Sequence, residues 1–215
     1  MLFLIPFTAS AVSIINDEET EQYLQEVIAP IFKVNSIPFN PREIYIVNDS
    51  SLNAFVSDGN AMFIHTGTLL NIQNTNELTG ILAHESGHIK GGHILRQKIK
   101  LQNMQKLSLA SIILAGAAGV ASGRGDVAMA IMLGGNSSAL NSLTAHQVQE
   151  ERSADENAVN TLKKLRQSPI GLLNFMHKIN RQNKLQGREE SPYFRTHPLT
   201  KERIAFLENA VKNSP

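Results

Sequence analysis

The spacing of apolar residues predicts a helix near the start of the chain. From Asp17 to about Phe32, apolar side chains recur every three or four positions, so they share one helical face. These residues are Tyr23, Leu24, Val27, Ile28 and Ile31. Pro30 is expected to kink or end the helix, because its ring removes a backbone hydrogen bond.

Three short strands are predicted next. Residues 43–47, 53–56 and 61–64 are rich in β-branched or aromatic side chains, a composition typical of strands. The polar segment between the last two, residues 57–60, includes Gly59 and predicts a hairpin turn.

The rest of the chain has helical patterns. Asn74 with Glu77 three positions later is a capping-box pattern, which starts a helix with a buried apolar stripe. Further helices are predicted at about 144–165 and 169–184, and Thr200 caps a last one. Together with the strands, these helices predict an α+β, mostly helical single domain with a small antiparallel sheet.

Composition narrows the function classes. The 215 residues are 42% apolar, which is enough for one well-buried core. The net charge is +1, without a block of basic residues and without tryptophan, so nucleic acid is not expected as a partner. The chain has no cysteine, so any metal must be held by histidine and carboxylate side chains.

The first residues have features of an export signal. An apolar run at 2–7 is followed by Ala9-Ser10-Ala11, the small-residue pattern that signal peptidase cleaves. Basic residues before the apolar run are missing, which departs from that pattern. We expect residues 1–11 to be a signal peptide and the protein to be periplasmic or exported. An apolar element packed on the domain, or an uncleaved membrane anchor, is the alternative.

The strongest chemical signal is His84-Glu85-Ser86-Gly87-His88, an H-E-x-x-H pattern within a predicted helix. Histidines four positions apart share a helical face, so both imidazoles can reach one ion. Glu85 points about 100° around the helix, where it can hold a water without binding the metal. We predict one zinc ion per chain, with His84 and His88 as ligands and Glu85 as the catalytic base.

The third ligand must come from another part of the chain, because catalytic zinc takes three protein ligands and leaves one position for water. One metalloprotease class supplies a histidine ten residues after the first, but that position holds Ile94, and His93 falls one residue short. Another class uses a glutamate from a later helix, and Glu151 followed by Asp155 fits that arrangement. We therefore predict Glu151 as a ligand and Asp155 as a carboxylate that orients a ligand histidine.

These motifs resemble those of a zinc metallopeptidase family, peptidase family M48, which includes the CAAX prenyl proteases and HtpX. The family belongs to the gluzincins, in which a glutamate is the third zinc ligand. Four matching elements occur in the family's order: Asn53-Ala54-Phe55 with the hairpin and Gly67, His84-Glu85-x-x-His88, Glu151-x-x-Ala154-Asp155, and Thr196-His197-Pro198 with Arg203. The nearest branch is the periplasmic beta-barrel assembly-enhancing protease. Its helical-repeat domain is not expected here, nor are the long transmembrane helices of membrane members.

The resemblance implies a zincin-like, M48-like metallopeptidase domain over residues 12–215, with the sheet beside the active-site helix. It implies that His197 and Arg203 line the site and either stabilise charge or contact the ligand shell. Both are candidate catalytic residues, and one of the two is the candidate oxyanion donor. It also implies an edge strand at Asn53, Ala54 and Phe55 that holds an extended substrate. Other histidines are interpreted as structural or exposed: His65, His93, His146 and His177.

The apolar insertion, residues 107–140, permits three interpretations. Its first stretch, 107–121, is about fifteen residues long, shorter than the roughly 20 that a spanning helix needs. The alternatives are a hairpin that covers the site, an element that contacts a membrane surface through 107–133, and ordinary core. The resemblance favours the cover, which predicts low basal activity that rises when the insertion is shortened.

The predicted function is that of a zinc-dependent endopeptidase in quality control, acting on unfolded or misassembled envelope proteins. Its partners are then polypeptide substrates that bind as an added strand. The alternative is a latent protease that acts mainly as a chaperone or assembly factor.

Overall fold

The structure is a computed structural model that describes residues 13–185 and 192–214. Within one helix it describes the backbone but not the side chains of residues 128, 132, 133 and 135–143. The predicted signal peptide, residues 1–11, lies outside the described residues and stays a prediction.

The described residues form eight α-helices and four short strands, which confirms the predicted α+β, mostly helical class. The strands are β1 (Ile14–Ile15), β2 (Ile44–Val47), β3 (Ala54–Val56) and β4 (Met62–His65). The helices are α1 (Glu18–Asn35), α2 (Thr66–Asn71), α3 (Thr75–Gly91), α4 (His93–Ser122), α5 (Gly125–Lys164), α6 (Ile170–Leu185), α7 (Pro192–Thr196) and α8 (Lys201–Lys212). Helix α1 continues past Pro30 without ending there.

The four strands form one sheet in the order β1-β2-β4-β3. β1 pairs antiparallel with β2, and β3 with β4, whereas β2 and β4 run parallel. The sheet is therefore mixed, where the sequence predicted an antiparallel one. The reason is the path of the chain, which leaves β2, passes to the edge at β3, and returns through the hairpin to the middle. This path makes β3 an edge strand.

Helix α3 runs through the centre of the domain, and every residue from Glu77 to His88 is buried. It begins as predicted, because the Asn74 side chain accepts a hydrogen bond from the backbone N–H of Glu77 at 3.1 Å. It ends at Gly92, whose φ of +63° is a left-handed conformation that favours glycine. The chain then turns directly into α4.

Two glycines of α3 allow neighbouring helices to approach closely. A Cβ on Gly87 would lie 2.8 Å from the backbone oxygen of Ala154 in α5. A Cβ on Gly80 would lie 2.6 Å from the backbone nitrogen of Leu172 in α6. Because a hydrogen stands there instead, α5 and α6 pack against α3 at backbone distance.

The apolar insertion lies within two long helices. α4 has 30 residues and α5 has 40, and they are joined next to Gly123, whose φ is +65°. The polar residues 93–106 extend the apolar run into one helix of about 45 Å. Among the described residues, α4 is the helix that is long and apolar enough to cross a membrane. By length and composition, the whole of α4 is therefore long enough to span, although the stretch 107–121 alone is shorter than a spanning helix needs.

Candidate metal centre

Two histidines of α3 form the centre of the site. His84 and His88 lie one turn apart on the same face, and both side chains are buried. Their Nε2 atoms are 3.2 Å apart.

Helix α5 brings Glu151 to this pair. Its Oε2 lies 3.3 Å from Nε2 of His84, and its Oε1 lies 3.2 Å from Nε2 of His88. The close approach depends on Gly87, which stands between the two histidines and allows the backbone of α5 to contact α3. The three predicted ligands therefore lie together.

These three donors have the separations of zinc ligands. Ligand atoms about 2.0–2.1 Å from zinc at tetrahedral angles are about 3.3 Å apart. The two Nε2 atoms are 3.2 Å apart, and each lies at a similar distance from one oxygen of Glu151: His84 is 3.3 Å from Oε2 and His88 is 3.2 Å from Oε1. An ionised carboxylate only accepts hydrogen bonds, and a neutral imidazole offers one lone pair. A cation among these atoms stabilises lone pairs that otherwise repel, so the residues present fit a zinc ion.

A second layer of charge surrounds the donors. Asp155, one turn after Glu151, has its Oδ1 2.8 Å from Nδ1 of His84. The Arg203 guanidinium of α8 donates to both Asp155 oxygens, at 2.6 and 2.9 Å, and lies 2.7 Å from Glu151 Oε2. Burial favours protonation of both carboxyls. The charge of Arg203 nevertheless lowers the pKa of Asp155, and that of His197 lowers the pKa of Glu151.

Asp155 determines how His84 is turned. Because Nδ1 faces an ionised carboxylate, the proton of the neutral ring sits on Nδ1 and the Nε2 lone pair points towards the other donors. Burial opposes a positive charge on this ring, but hydrogen bonds with Asp155 and Glu151 raise the pKa of His84 to about 10. The site thus favours a positive charge here, which either a proton or a divalent cation supplies.

His88 is oriented by His93, a residue that the sequence predicted to be structural or exposed. The Nδ1 atoms of the two rings lie 2.8 Å apart. Burial lowers the pKa of His88 to about 3 and that of His93 to about 4, so both rings are neutral and one donates to the other. His88 presents a lone pair at Nε2 only when its own Nδ1–H is the donor. This contact depends on the turn at Gly92, which helical periodicity does not predict.

His197 closes another side of the cluster. Its Nδ1 lies 3.0 Å from Glu151 Oε1, and its Nε2 lies 3.6 Å from Glu85 Oε1. With His84, His88 and Glu151, it forms a group whose ligand atoms all lie within 4.8 Å of one another. The buried ring of Tyr193 packs on His197, with centroids 4.6 Å apart. Tyr193 carried no signal in the sequence, because an aromatic residue near a helix end is usually core.

Glu85 occupies the position predicted for the base. Both carboxylate oxygens are buried and have no hydrogen-bond partner among the described residues. Burial raises the pKa of Glu85, although His197 and His84 act in the opposite direction. A carboxylate with raised proton affinity is suited to take up a proton from a water.

Behind the motif, a buried polar network joins three helices. The Asn35 amide of α1 donates to Thr161 of α5 at 2.8 Å and to Ser86 of α3 at 3.3 Å. The oxygen of the same Asn35 side-chain amide accepts a hydrogen bond from Lys90 at 3.1 Å. These bonds hold the two ligand-bearing helices together on the side away from the donors. Sequence reasoning missed them because the partners are far apart in the chain.

A pocket of about 180 Å³ opens beside the cluster. Phe55 and Val56 of β3 line one wall, and Ile94, Gln97 and the α5 residue Gln147 line another. The lining that the structure describes includes no residue between 107 and 140, so the base of the two long helices borders the site.

Strand β3 turns a free edge away from its partner strand. Asn53 O accepts a hydrogen bond from His65 N at 3.0 Å just before the strand begins. Because pairing alternates along an antiparallel ladder, the peptide groups of Ala54 and Val56 then point away from β4.

Asn53 differs from the other residues predicted to bind substrate. Its backbone N–H and carbonyl are both bonded to the Thr68 hydroxyl, at 2.8 and 2.7 Å. Its backbone therefore anchors the strand to α2. Phe55 lines the pocket and stacks on Phe63, with centroids 5.0 Å apart.

Comparison with known proteins gives matches over nearly the whole chain. The profile of Peptidase family M48 matches residues 18–211. The Beta-barrel assembly-enhancing protease of Escherichia coli (strain K12) is 27% identical over 201 residues, covering 91% of this chain and 40% of that protein. The protein of the same name from Yersinia pestis is 24% identical over 169 residues, covering 79% and 34%. A Protease HtpX homolog of Streptococcus thermophilus is 40% identical over 77 residues, covering 34% and 25%. The chain thus spans at most 40% of the length of these relatives.

Proposed function

The chain belongs to Peptidase family M48, and we propose that it is a zinc-dependent endopeptidase that hydrolyses peptide bonds with an activated water. The observation that carries the proposal is the convergence of His84, His88 and Glu151 at distances of 3.2–3.3 Å. The 3.2 Å between the two Nε2 atoms is the spacing of neighbouring ligands at a tetrahedral zinc ion, and the Glu151 carboxylate faces both of them.

His84, His88 and Glu151 are the proposed ligands. Zinc, when bound, supplies a Lewis acid that activates water and polarises the substrate carbonyl. Asp155 keeps the Nε2 lone pair of His84 directed at the site, and Arg203 holds Asp155 and Glu151 in place. Because Arg203 also donates to the Pro198 carbonyl at 2.9 Å, we assign it to positioning the ligands and not to contact with substrate.

Glu85 is the proposed general base. It takes a proton from the attacking water and passes it to the leaving amine. No described side chain hydrogen-bonds to its oxygens and competes for that proton. His197, with Nε2 3.6 Å from Glu85, is placed to donate a hydrogen bond to the oxyanion that develops on the substrate.

The proposed substrates are extended polypeptides that pair with β3. The outward peptide groups of Ala54 and Val56 recognise backbone, so many sequences are accepted. Unfolded or misassembled envelope proteins are the substrate class, and the periplasm or another exported location is the compartment. The similarity to a protein named Beta-barrel assembly-enhancing protease supports a role in the assembly of such proteins.

His197 also favours a second candidate function, a latent protease that acts mainly as a chaperone or assembly factor. It belongs to the group of potential metal ligands, and a fourth ligand fills the position that a catalytic zinc site keeps for water. In that state the chain binds an extended segment at β3 without cleaving it.

Casein cleavage, compared between the parent and the Glu85→Gln variant, distinguishes the protease from the chaperone. We expect activity to fall about 10²–10⁴-fold, the range for loss of a general base, while zinc content and casein binding stay unchanged. Glu156→Gln, at an exposed position of α5, is the matched control and keeps full activity. The chaperone is the better description if the parent binds zinc and casein, but neither the parent nor Glu85→Gln cleaves casein. The two proteins should then also function equally well in cells.

A further inference from the structure

The apolar insertion exposes side chains that a protein in water normally buries. Within the insertion, six large apolar residues of α4 are exposed: Leu107, Leu109, Ile112, Ile113, Leu114 and Val120. Met129 and Ile131 of α5 are exposed as well. A contiguous apolar surface of this kind marks an interaction site.

The exposed residues are distributed around the α4 circumference. Consecutive helical residues point about 100° apart, so Ile112, Ile113 and Leu114 together cover about 200°. Ala115 is the buried residue among the described ones in this stretch, and α5 packs along α4. A helix that is apolar on nearly all sides requires an apolar environment around it. A second copy of the chain would cover one face only, whereas lipid covers all of them.

The length and end charges of the insertion match a bilayer. Lys106 and Arg124 are 18 positions apart with no charged residue between them. This separation is about 27 Å along a helix, close to the roughly 30 Å of a hydrocarbon core. At the turn between the helices, Arg124 and Asp126 form an exposed ion pair at 2.5 Å. Charges at these two levels can be solvated by the two headgroup layers.

Charge is also separated between this region and the rest of the chain. Residues 93–149 contain five basic residues and one acidic residue, a net charge of +4. The remaining residues contain 15 basic and 18 acidic residues, a net charge of −3. Four of the five basic residues precede the uncharged run on α4: Arg96, Lys98, Lys100 and Lys106. Basic residues next to the base of an apolar hairpin complement a negatively charged membrane surface.

We propose that residues 107–140 insert as a helical hairpin into a bilayer with anionic headgroups and hold the active-site pocket at the membrane surface. Gln97 lines the pocket, and Lys106 lies nine positions further along α4, a distance of about 13 Å. Polypeptide segments next to the membrane are then the accessible substrates. This last step rests on the proposed protease function, whereas the insertion itself does not.

Tryptophan fluorescence in reconstituted vesicles tests the insertion. Because the full chain has no tryptophan, Leu114→Trp reports from the middle of the uncharged run on α4, and Leu70→Trp on α2 is the exposed control. In vesicles of phosphatidylcholine and phosphatidylglycerol, we expect the emission of Leu114→Trp to shift to shorter wavelength and to be quenched by brominated lipid chains. Leu70→Trp keeps its water-exposed emission. An unquenched Leu114→Trp in vesicle-associated protein overturns the proposal.

Flotation with the same vesicles measures how strongly each variant associates with the membrane. Leu114→Lys is expected to weaken vesicle association on the order of 100-fold, because it places a charge in the hydrocarbon centre, while Leu70→Lys floats like the parent. Vesicles of phosphatidylcholine alone are expected to bind several-fold more weakly. If Leu114→Lys instead dissociates a dimer in light scattering and leaves flotation unchanged, the occupant is a second copy and the proposal is overturned.

Casein cleavage in solution separates this proposal from the proposed function. Cleavage without flotation overturns the insertion and leaves the protease. If the protein floats with vesicles but does not cleave casein, the insertion is supported. The protease function is then lost, and with it the substrate class. Leu114→Lys is expected to cleave soluble casein like the parent, because residue 114 lies outside the pocket lining.

Discussion

Two regions of this protein reverse the usual distribution of polar and apolar residues, and they do so in opposite directions. Around α3, the charged side chains of Glu85, Glu151, Asp155 and Arg203 are buried. In the apolar insertion, leucine, isoleucine and valine side chains are exposed. Helix α5 contributes to both regions, because it begins in the insertion and carries Glu151 and Asp155 further along.

The contrast fits the two proposals above, in which each region is arranged for a partner outside the chain. Buried charges are costly unless an opposite charge compensates them. Within the described cluster, Arg203 and the histidines compensate in part, and a divalent cation completes the balance. Exposed apolar surface is costly in water and favourable in lipid. The proposed metal ion and the proposed membrane would account for the two regions by the same principle, the matching of each group to its surroundings.

The largest expected effect comes from removing a ligand of the buried region. Glu151→Ala should reduce zinc affinity by more than about 100-fold, because loss of a ligand weakens metal binding more than loss of a group that orients a ligand. Casein cleavage should be lost with the metal. Elemental analysis of the purified protein measures this, and a chelator should reproduce the loss in the parent. Glu156→Ala, on the exposed side of α5, is the control. Full zinc occupancy in Glu151→Ala would contradict the ligand assignment.

Breaking the buried charge balance should cost stability. Arg203→Met leaves Asp155 and Glu151 uncompensated, and we expect the free energy of unfolding to fall by about 3–5 kcal/mol. The exposed Arg152–Glu156 pair provides a comparison, for which Arg152→Met should cost about 0–1 kcal/mol. Urea denaturation monitored by circular dichroism distinguishes the two, and equal losses would mean that Arg203 is not structurally special.

The same truncation in the two regions should have unequal effects. Ile81 is 0% exposed and Ile113 is 71% exposed. Ile81→Ala should lower the free energy of unfolding by about 2–5 kcal/mol, because it creates a cavity. Ile113→Ala should change it by less than about 0.5 kcal/mol in water. A large loss for Ile113→Ala would show that the insertion packs on protein in solution, which is the arrangement that the cover interpretation requires.

The smallest predicted effect concerns the orientation of His88. His93→Leu removes the acceptor behind His88 and should weaken zinc binding about 10–100-fold. Competition with a chelator measures the affinity, and His177→Leu, partly exposed on α6, is the matched control. His93→Asn, which retains a hydrogen-bonding side chain, is expected to recover part of the affinity. Unchanged affinity in His93→Leu would show that the contact does not orient the ligand.

Features that depend on neighbours in sequence could be predicted before the structure. The Asn74 and Thr200 helix caps, the hairpin at 57–60 and the shared face of His84 and His88 follow from local backbone geometry and a fixed repeat. The approach of Glu151 to this pair needed the family resemblance as well, since the ligand motifs occur in a known order. The resemblance also placed His197 and Arg203 near the site.

Other features follow from packing between distant segments. The parallel pairing of β2 with β4, the contact of His93 with His88, and the network that joins Asn35 to Thr161 arise only when the helices and strands assemble. Glycine contacts such as Gly87 against Ala154 decide how near the helices come. A sequence pattern shows which face of an element is apolar, but the partner of that face depends on the three-dimensional arrangement of the whole chain. That arrangement is why polar side chains such as Glu151 and Arg203 are buried, whereas apolar side chains of α4 are exposed.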